Sequence, residues 1–555
     1  MKNCSIGVIC VILAGISGLA SATVIHVPTE YLQIHDAVQA AGYGDTVLVA
    51  PGTYYDCTHE TEGPGSTPAC VIMKSGVTLR GSGPDATIID AKAWDTFGNG
   101  RGIFVELVSD CRIENLQVTG AYADVYGAGI LARQVDNTIE ITDVKIYRNG
   151  DGGVIIINNA DPVLTRVDFI DNSAKLGGGL AVENNSDPTV VDCTFTKNSA
   201  PTAGGIMVRT SSDPSFSGCL IENNYVNTFG NGGGVAVQNS NVVFTNCQII
   251  NNNTEGNGGG ISFVGATGSM TDCTVANNET SGSESALGGG IFIDQSPITL
   301  TNVLVYGNNA IGKFAYGGGI YVDDQPAPTI ENCTVARNHA KGLFAGGGGI
   351  YCDDDANPTI SKCILAYAVV GAGLGCDTPA NPTVSCTDIY GNEGGDAVCG
   401  IDGGDNFYAL PRFCNTPPTE YYLGENSPCA PGNHPNGPTT CGGELIGALP
   451  VGCGFIGVGE TPAIQAKLLG NSPNPFNPQT HIFFVLGEEG PATVRIYDVR
   501  GQAVKTLSLG RLPAGTHQVL WDGTNDVGRD VSSGVYFYEL QAFGERLTQR
   551  MALIR

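Results

Sequence analysis

Short segments in which apolar and polar residues alternate recur along most of this chain, as in Cys193-Thr194-Phe195-Thr196 and Val303-Leu304-Val305-Tyr306. A period of two is that of a β-strand with one buried face. Near the start, residues 33–41 instead place Ile34, Ala37, Val38 and Ala41 on one face of a helix. This segment follows a first strand at 23–27 and precedes a first coil at 45–54, so it is expected to cap the end of whatever the strands build. No later run of ten or more residues has helical spacing, which removes leucine-rich, ankyrin and tetratricopeptide arrays.

The strands belong to a repeat. Glycine clusters lead into an aliphatic residue at Leu180, Ile206, Val235, Ile261, Ile291, Ile320 and Ile350, with steps of 26, 29, 26, 30, 29 and 30 residues. A second column in phase is Asn149, Asn172, Asn198, Asn224, Asn252, Asn278, Asn308 and Asn338. A third is Cys193, Cys219, Cys247, Cys273, Val303, Cys333 and Cys363. A coil of this length, built of three short strands and three turns, predicts an all-β parallel β-helix with coils about 4.8 Å apart. Each column then becomes a ladder. Stacked Asn amides bond one another and the backbone inside a turn, and glycine lets the chain pass close to its neighbour. Cysteines that share a column with Val303 behave as small buried hydrophobes and are expected to remain thiols, since parallel stacking points them the same way.

The clean repeats run over about 127–390, followed by a Cys/Pro/Gly-rich stretch to 455, and the whole segment 23–455 is assigned to the solenoid. Residues 456–463 are expected to be a linker. From 464 to 555, alternating runs such as His481–Leu486, Thr493–Asp498, Thr516–Trp521 and Gly534–Leu540 predict a small β-sandwich of some seven strands. Residues 1–22 have the form of a signal peptide, with Lys2, an apolar stretch at 6–19 and cleavage expected near Ala22. Export agrees with a disulfide closing the Gly/Pro/Thr loop between Cys57 and Cys70. No second apolar run is long enough to span a membrane, so the mature chain is expected to have no transmembrane segment.

Charge narrows the partners. With 27 Lys+Arg against 54 Asp+Glu the formal net charge is −27, so nucleic acid and anionic membranes are repelled. Hydrophobic residues make up 42 % and charged residues only 15 %, which is the composition of a packed protein.

Residues 24–54 and the repeats after them resemble the right-handed parallel β-helix, or pectin-lyase-like, superfamily. Phe169-Ile-Asp-Asn172 and Phe195-Thr-Lys-Asn198, each followed by a Gly-Gly-x-aliphatic step, also resemble the repeats of chlamydial polymorphic membrane proteins, which are surface adhesins. Ser472-Pro-Asn-Pro-Phe-Asn-Pro478, Tyr497-Asp-Val-Arg-Gly501, Trp521-Asp-Gly-Thr-Asn-Asp526 and Gly534–Tyr538 are similar to the FlgD-like Ig domain and to type IX secretion sorting domains. That resemblance implies passage through an outer-membrane export machinery and a secreted or cell-surface location.

The catalytic motifs of polygalacturonases, pectate lyases and pectin methylesterases are missing from the sequence. What remains is an acidic column. Three residues past the aliphatic of successive coils lie Asp294, Asp323, Asp353 and Asp377, with Asp324 and Asp354 one further on. Carboxylates about 5 Å apart repel, and must splay into water, share protons or bind a cation. Calcium at Asp294, Asp323, Asp353 and Asp377 suits hard oxygen ligands, and Asp323, Asp324, Asp353 and Asp354 are candidate catalytic carboxylates of a glycosidase. Tyr316, Phe344 and Tyr351 are expected to offer stacking faces to a sugar. The function expected from these features is that of an exported, monomeric, non-enzymatic adhesion scaffold for glycans or surface polymers. The alternative is a divergent polysaccharide lyase or glycoside hydrolase that uses the acidic column.

Overall fold

A computed structural model describes residues 22–554 apart from 58, 60–66, 93–99, 123–127, 227, 415–419, 455–465, 473, 475, 487–489, 514 and 543–544. The expected signal peptide up to residue 21 and the expected linker lie outside the described residues. The chain forms two compact units, Met1–Pro411 with Tyr422–Cys453, and Arg412–Tyr421 with Gly454–Arg555.

The first unit is a parallel β-solenoid. Among the described residues its strands form three long parallel sheets of 15, 13 and 12 strands, and each coil away from the ends contributes one strand to each. One coil shows how the sequence closes the turn of the helix. Ile206–Arg209 lies in the 12-stranded sheet, Ser215–Ser217 in the 15-stranded and Leu220–Glu222 in the 13-stranded sheet. Ile206, Val208, Phe216, Cys219 and Ile221 point inward and are buried, while the residues between them face out or pack under loops. The corners are left-handed backbone positions such as Thr210, Gly218 and Asn223, a conformation that Asn, Asp and Gly tolerate best. Because strands stack in register, like lies on like. Phe169 stacks on Phe195 at 4.4 Å and Phe216 on Phe244 at 4.9 Å.

All eight column asparagines are buried. From Asn149 to Asn308, each Nδ2 donates to the Oδ1 of the next, at 2.9–3.0 Å. Each amide also donates to a strand carbonyl, for example Asn224 Nδ2 to Phe195 O at 2.8 Å. The six column cysteines are free thiols in the core. Disulfides join Cys57 to Cys70, Cys376 to Cys399 and Cys386 to Cys441. At the N-terminal end the helix Ile34–Ala40 buries Ile34, Ala37 and Val38.

A coil of three strands is an incomplete description, however. Two further short sheets run beside the long ones, one of six strands from Ser199–Ala200 to His339–Lys341 and one of three strands, Ser285–Leu287, Phe314–Tyr316 and Phe344–Gly346. The three-stranded sheet lies in the three successive coils of 29–30 residues that follow Ile261, and their extra residues supply its strands.

The second unit is a sandwich of two antiparallel sheets. Ala466–Ser472, Thr480–Leu486 and Gly515–Trp521 form one; Ala503–Leu512, Gly490–Asp498, Gly534–Ala542 and Glu545–Leu553 form the other. Trp521, Tyr538, Phe484, Ile482 and Ile496 fill the space between them. The indole Nε1 of Trp521 donates to Thr524 O at 2.9 Å, which satisfies the one polar atom of a fully buried side chain.

Candidate functional site on the outer face of the 12-stranded sheet

Inward and outward residues alternate along each strand of the 12-stranded sheet, so the second and fourth positions face out. In the fourth-position column, Glu106 pairs with Arg133, and Glu183 with Arg209 at 2.8 Å. Gln238 and then Val264 follow, with Val264 in register with Asp294 and Asp294 in register with Asp323. Asp353 and Asp377 continue the column just past their strands. Their N–H groups donate to Val322 O at 2.9 Å and to Cys352 O at 3.0 Å. Upstream the column is therefore neutralised. From Asp294 onward, among the described residues, no ion pair reaches it.

The tightest carboxylate group differs from the straight column. Asp323, Asp324 and Asp354 have ligand oxygens all within 4.8 Å of one another. The reason is local: Asp324 and Asp354 occupy the left-handed corner after the strand, with φ of 53° and 44°, in adjacent coils. Asp353 is turned aside, its Oδ2 accepting from the Tyr321 hydroxyl at 2.7 Å and its Oδ1 from the Asp354 N–H at 3.0 Å. Gln295 Nε2 donates to Asp324 at 3.1 Å. Asp323 Oδ1 is buried and accepts no hydrogen bond. Burial first, then the negative charges of Asp294, Asp324, Asp353 and Asp354, push the Asp323 carboxyl up to about 6. Asp294 is raised by burial and by Asp324. Among the described residues, Asp323, Asp324 and Asp354 form the all-carboxylate group that could hold a hard cation, whereas Asp294 and Asp377 lie along the column outside that group.

Aromatic residues fill the second-position column in the same coils. Phe292, Tyr321 and Tyr351 are buried beneath Leu287 and Tyr316 of the three-stranded sheet. Tyr316 stacks on Tyr351 at 4.6 Å, Tyr321 on Tyr351 at 6.0 Å, Phe292 on Tyr321 at 5.5 Å and Phe314 on Phe344 at 5.1 Å. Tyr351 is buried with its ring stacked against Tyr316 and Tyr321, whereas Phe344, stacked on Phe314, stays half-exposed. Of the three expected stacking residues, Phe344 is the one this wall leaves exposed. Burial and the nearby Asp353 and Asp377 raise the Tyr316 hydroxyl, and burial with the hydrogen bond it donates to Asp353 raises Tyr321 strongly. The row ends at Gly375, in register with Tyr351, where a Cβ would come within 2.8 Å of the Tyr351 ring. Phe292 and Tyr321 were not singled out from the sequence, although the lengthened repeat marked the coils that hold them.

The model of the right-handed β-helix region matches at 75–226, 200–318 and 284–408, more than half of the chain, and the chain belongs to that family. Residues 486–545 match the FlgD Ig-like domain. No curated protein matches. Among solved structures, latent PorU from Porphyromonas gingivalis is 19 % identical over 18 % of this chain and 10 % of its own, with a TM-score of 0.16. This chain therefore spans only a small part of that protein. Pectate lyase Pel9A is 14 % identical over 75 % of this chain and 90 % of its own, with a TM-score of 0.32. The A-module of mannuronan C-5 epimerase AlgE6 from Azotobacter vinelandii is 16 % identical over 63 % and 92 %, with a TM-score of 0.35. Likeness at this level concerns the fold alone. Among the described residues no helix is long and apolar enough to cross a membrane.

Proposed function

We propose that this protein is exported and acts outside the cell as a non-enzymatic scaffold that binds a glycan or other surface polymer along the outer face of residues 291–377. The FlgD-like module at its C-terminal end would serve sorting or anchoring. The observation that carries the reading is the coincidence, in the same three coils, of an added wall sheet, a buried Tyr/Phe row and an acidic column without counter-charge. One carboxylate per coil, about 4.8 Å apart, offers hydrogen-bond acceptors at roughly the rise of an extended sugar chain. The charge favours hydroxyl-rich or amino-sugar chains and opposes uronate polymers unless a cation such as calcium, held by Asp323, Asp324 and Asp354, intervenes.

The test is binding of the mature chain to immobilised neutral, amino-sugar and uronate polymers, with calcium and with EDTA. A double variant, Asp323→Asn with Asp353→Asn, is expected to lose at least tenfold in affinity while remaining folded, as judged by cooperative unfolding. No binding to any polymer, or binding that ignores the double variant, would overturn the assignment. Dependence on calcium, abolished by the same variant, would identify the cation site.

A second reading rests on Asp323. A carboxyl pushed up to about 6 beside other carboxylates within 4.8 Å has the acid-plus-carboxylate arrangement of a retaining glycosidase. If it acts so, reducing ends are released from a bound polymer, the rate declines as pH rises through about 6, and Asp323→Asn abolishes release without abolishing binding. Binding without any release leaves the scaffold reading and removes this one.

A further inference from the structure

Three cysteines meet at the C-terminal end of the 12-stranded sheet. Cys352 and Cys376 are in-register neighbours on Ile350–Cys352 and Leu374–Cys376. Cys376 is bonded to Cys399, with a Cα–Cα separation of 6.0 Å, while Cys352 is a buried free thiol. In-register parallel neighbours lie about 4.8 Å apart, so both partners of Cys376 fall in the range of about 4.4–6.8 Å that a disulfide spans. We propose that Cys352, Cys376 and Cys399 form a thiol–disulfide exchange triad, in which the bond passes from Cys376–Cys399 to Cys352–Cys376 and leaves Cys399 as a free thiol against the C-terminal end of the solenoid core.

The step balances within the chain. Cys352 gives up its proton and its thiolate attacks Cys376 Sγ; the Cys352–Cys376 bond forms as the Cys376–Cys399 bond breaks, and Cys399 leaves as a thiolate that takes up a proton. No oxidant or reductant is consumed. Burial and the neighbouring Asp353 carboxylate hold the Cys352 thiol well above its ordinary value, so the attack is slow and promoted by base. Side chains of parallel neighbours point the same way, and closing the new bond needs a shift of one partner. Cys376 is placed to give it, since it is half-buried, ends its strand, and belongs to the last strand of the sheet. The other column thiols, Cys193 to Cys363, stay inert because none has a disulfide beside it in its own ladder. Cys352 and Cys376 each immediately precede a carboxylate of the column, Asp353 and Asp377. Exchange therefore frees the segment around Cys399 from the strand Leu374–Cys376, which Asp377 follows.

The experiment is disulfide mapping of the full mature chain, expressed into an oxidising compartment, alkylated under acid quench and digested. After incubation at pH 8.5, the wild type is expected to accumulate a Cys352–Cys376 peptide together with alkylated Cys399, in equal amounts. Cys399→Ser is expected to contain the Cys352–Cys376 bond in most molecules, and Cys352→Ala to keep Cys376–Cys399 throughout. The inference is overturned if the wild type retains only Cys376–Cys399 after prolonged incubation with Cys399 unlabelled, or if folded Cys399→Ser leaves Cys352 and Cys376 as thiols. The wild-type time course decides the matter even if a variant fails to fold.

Discussion

At the scale of single residues, position in the coil column decides what a side chain costs. Asp388 takes the place that Ile364 holds one coil earlier. It is fully buried, accepts from the Ala409 N–H at 2.9 Å and lies 3.3 Å from Cys429 Sγ. Burial, offset by those hydrogen bonds, pushes its carboxyl up to about 7. A raised carboxyl binds a proton more tightly in the folded state. Its contribution to stability is therefore complete below the ordinary value of 3.8 and is lost as pH rises through about 7. That interval corresponds to roughly 4 kcal/mol as an upper bound. Asp388→Asn keeps the acceptor for Ala409 and removes the titration. It is expected to flatten the fall in unfolding midpoint between pH 4 and 8, and to be more stable than the wild type at pH 8. Calorimetry across that range checks it, and an unchanged slope would assign the pH dependence to other groups.

At the scale of the element, the Asn ladder carries the turn before each glycine cluster. Asn224 accepts from the N–H and Nδ2 of Asn198, and donates to Asn252 Oδ1 and Phe195 O. Asn224→Ala leaves several buried donors and acceptors without partners, at about 1–3 kcal/mol each. A loss of about 3 kcal/mol or more is expected in denaturant titration. Asn224→Ser, which keeps one polar atom, is expected to recover only part of it. The ladder was legible in the sequence because stacking in register converts a periodic residue into a contact. The wall sheet was not, since Phe314–Tyr316 and Phe344–Gly346 look like ordinary turn insertions until their coils are stacked. The same stacking in register buries Tyr351 among rings, while Phe344, in the last strand of the wall, stays half-exposed.

For the molecule as a whole, a solenoid passes stability mainly between neighbouring coils. Ile389 is fully buried and lies in register with Leu365 in the last clean coils. Ile389→Ala is expected to cost about 2–5 kcal/mol locally. Hydrogen exchange should then show loss of protection over about 360–400 while residues 130–250 keep theirs. Uniform loss along the solenoid would mean that the coils unfold as one unit.

The amino-acid sequence alone determined the solenoid, its ladders, the lengthened coils and the alignment of Asp294 with Asp323, because each follows from a one-dimensional period read through a fixed spacing between coils. It also marked the C-terminal module by its alternating strands and turn motifs. Tertiary structure decided what depends on lateral packing: the burial of Phe292 and Tyr321 under the added sheet, and the gathering of Asp324 and Asp354 toward Asp323 at left-handed corners. It also set the turning of Asp353 to the Tyr321 hydroxyl and the choice of Cys399 over Cys352 as the partner of Cys376. These are contacts between columns, and a repeat length specifies the rungs within a column while leaving open how one column leans on the next.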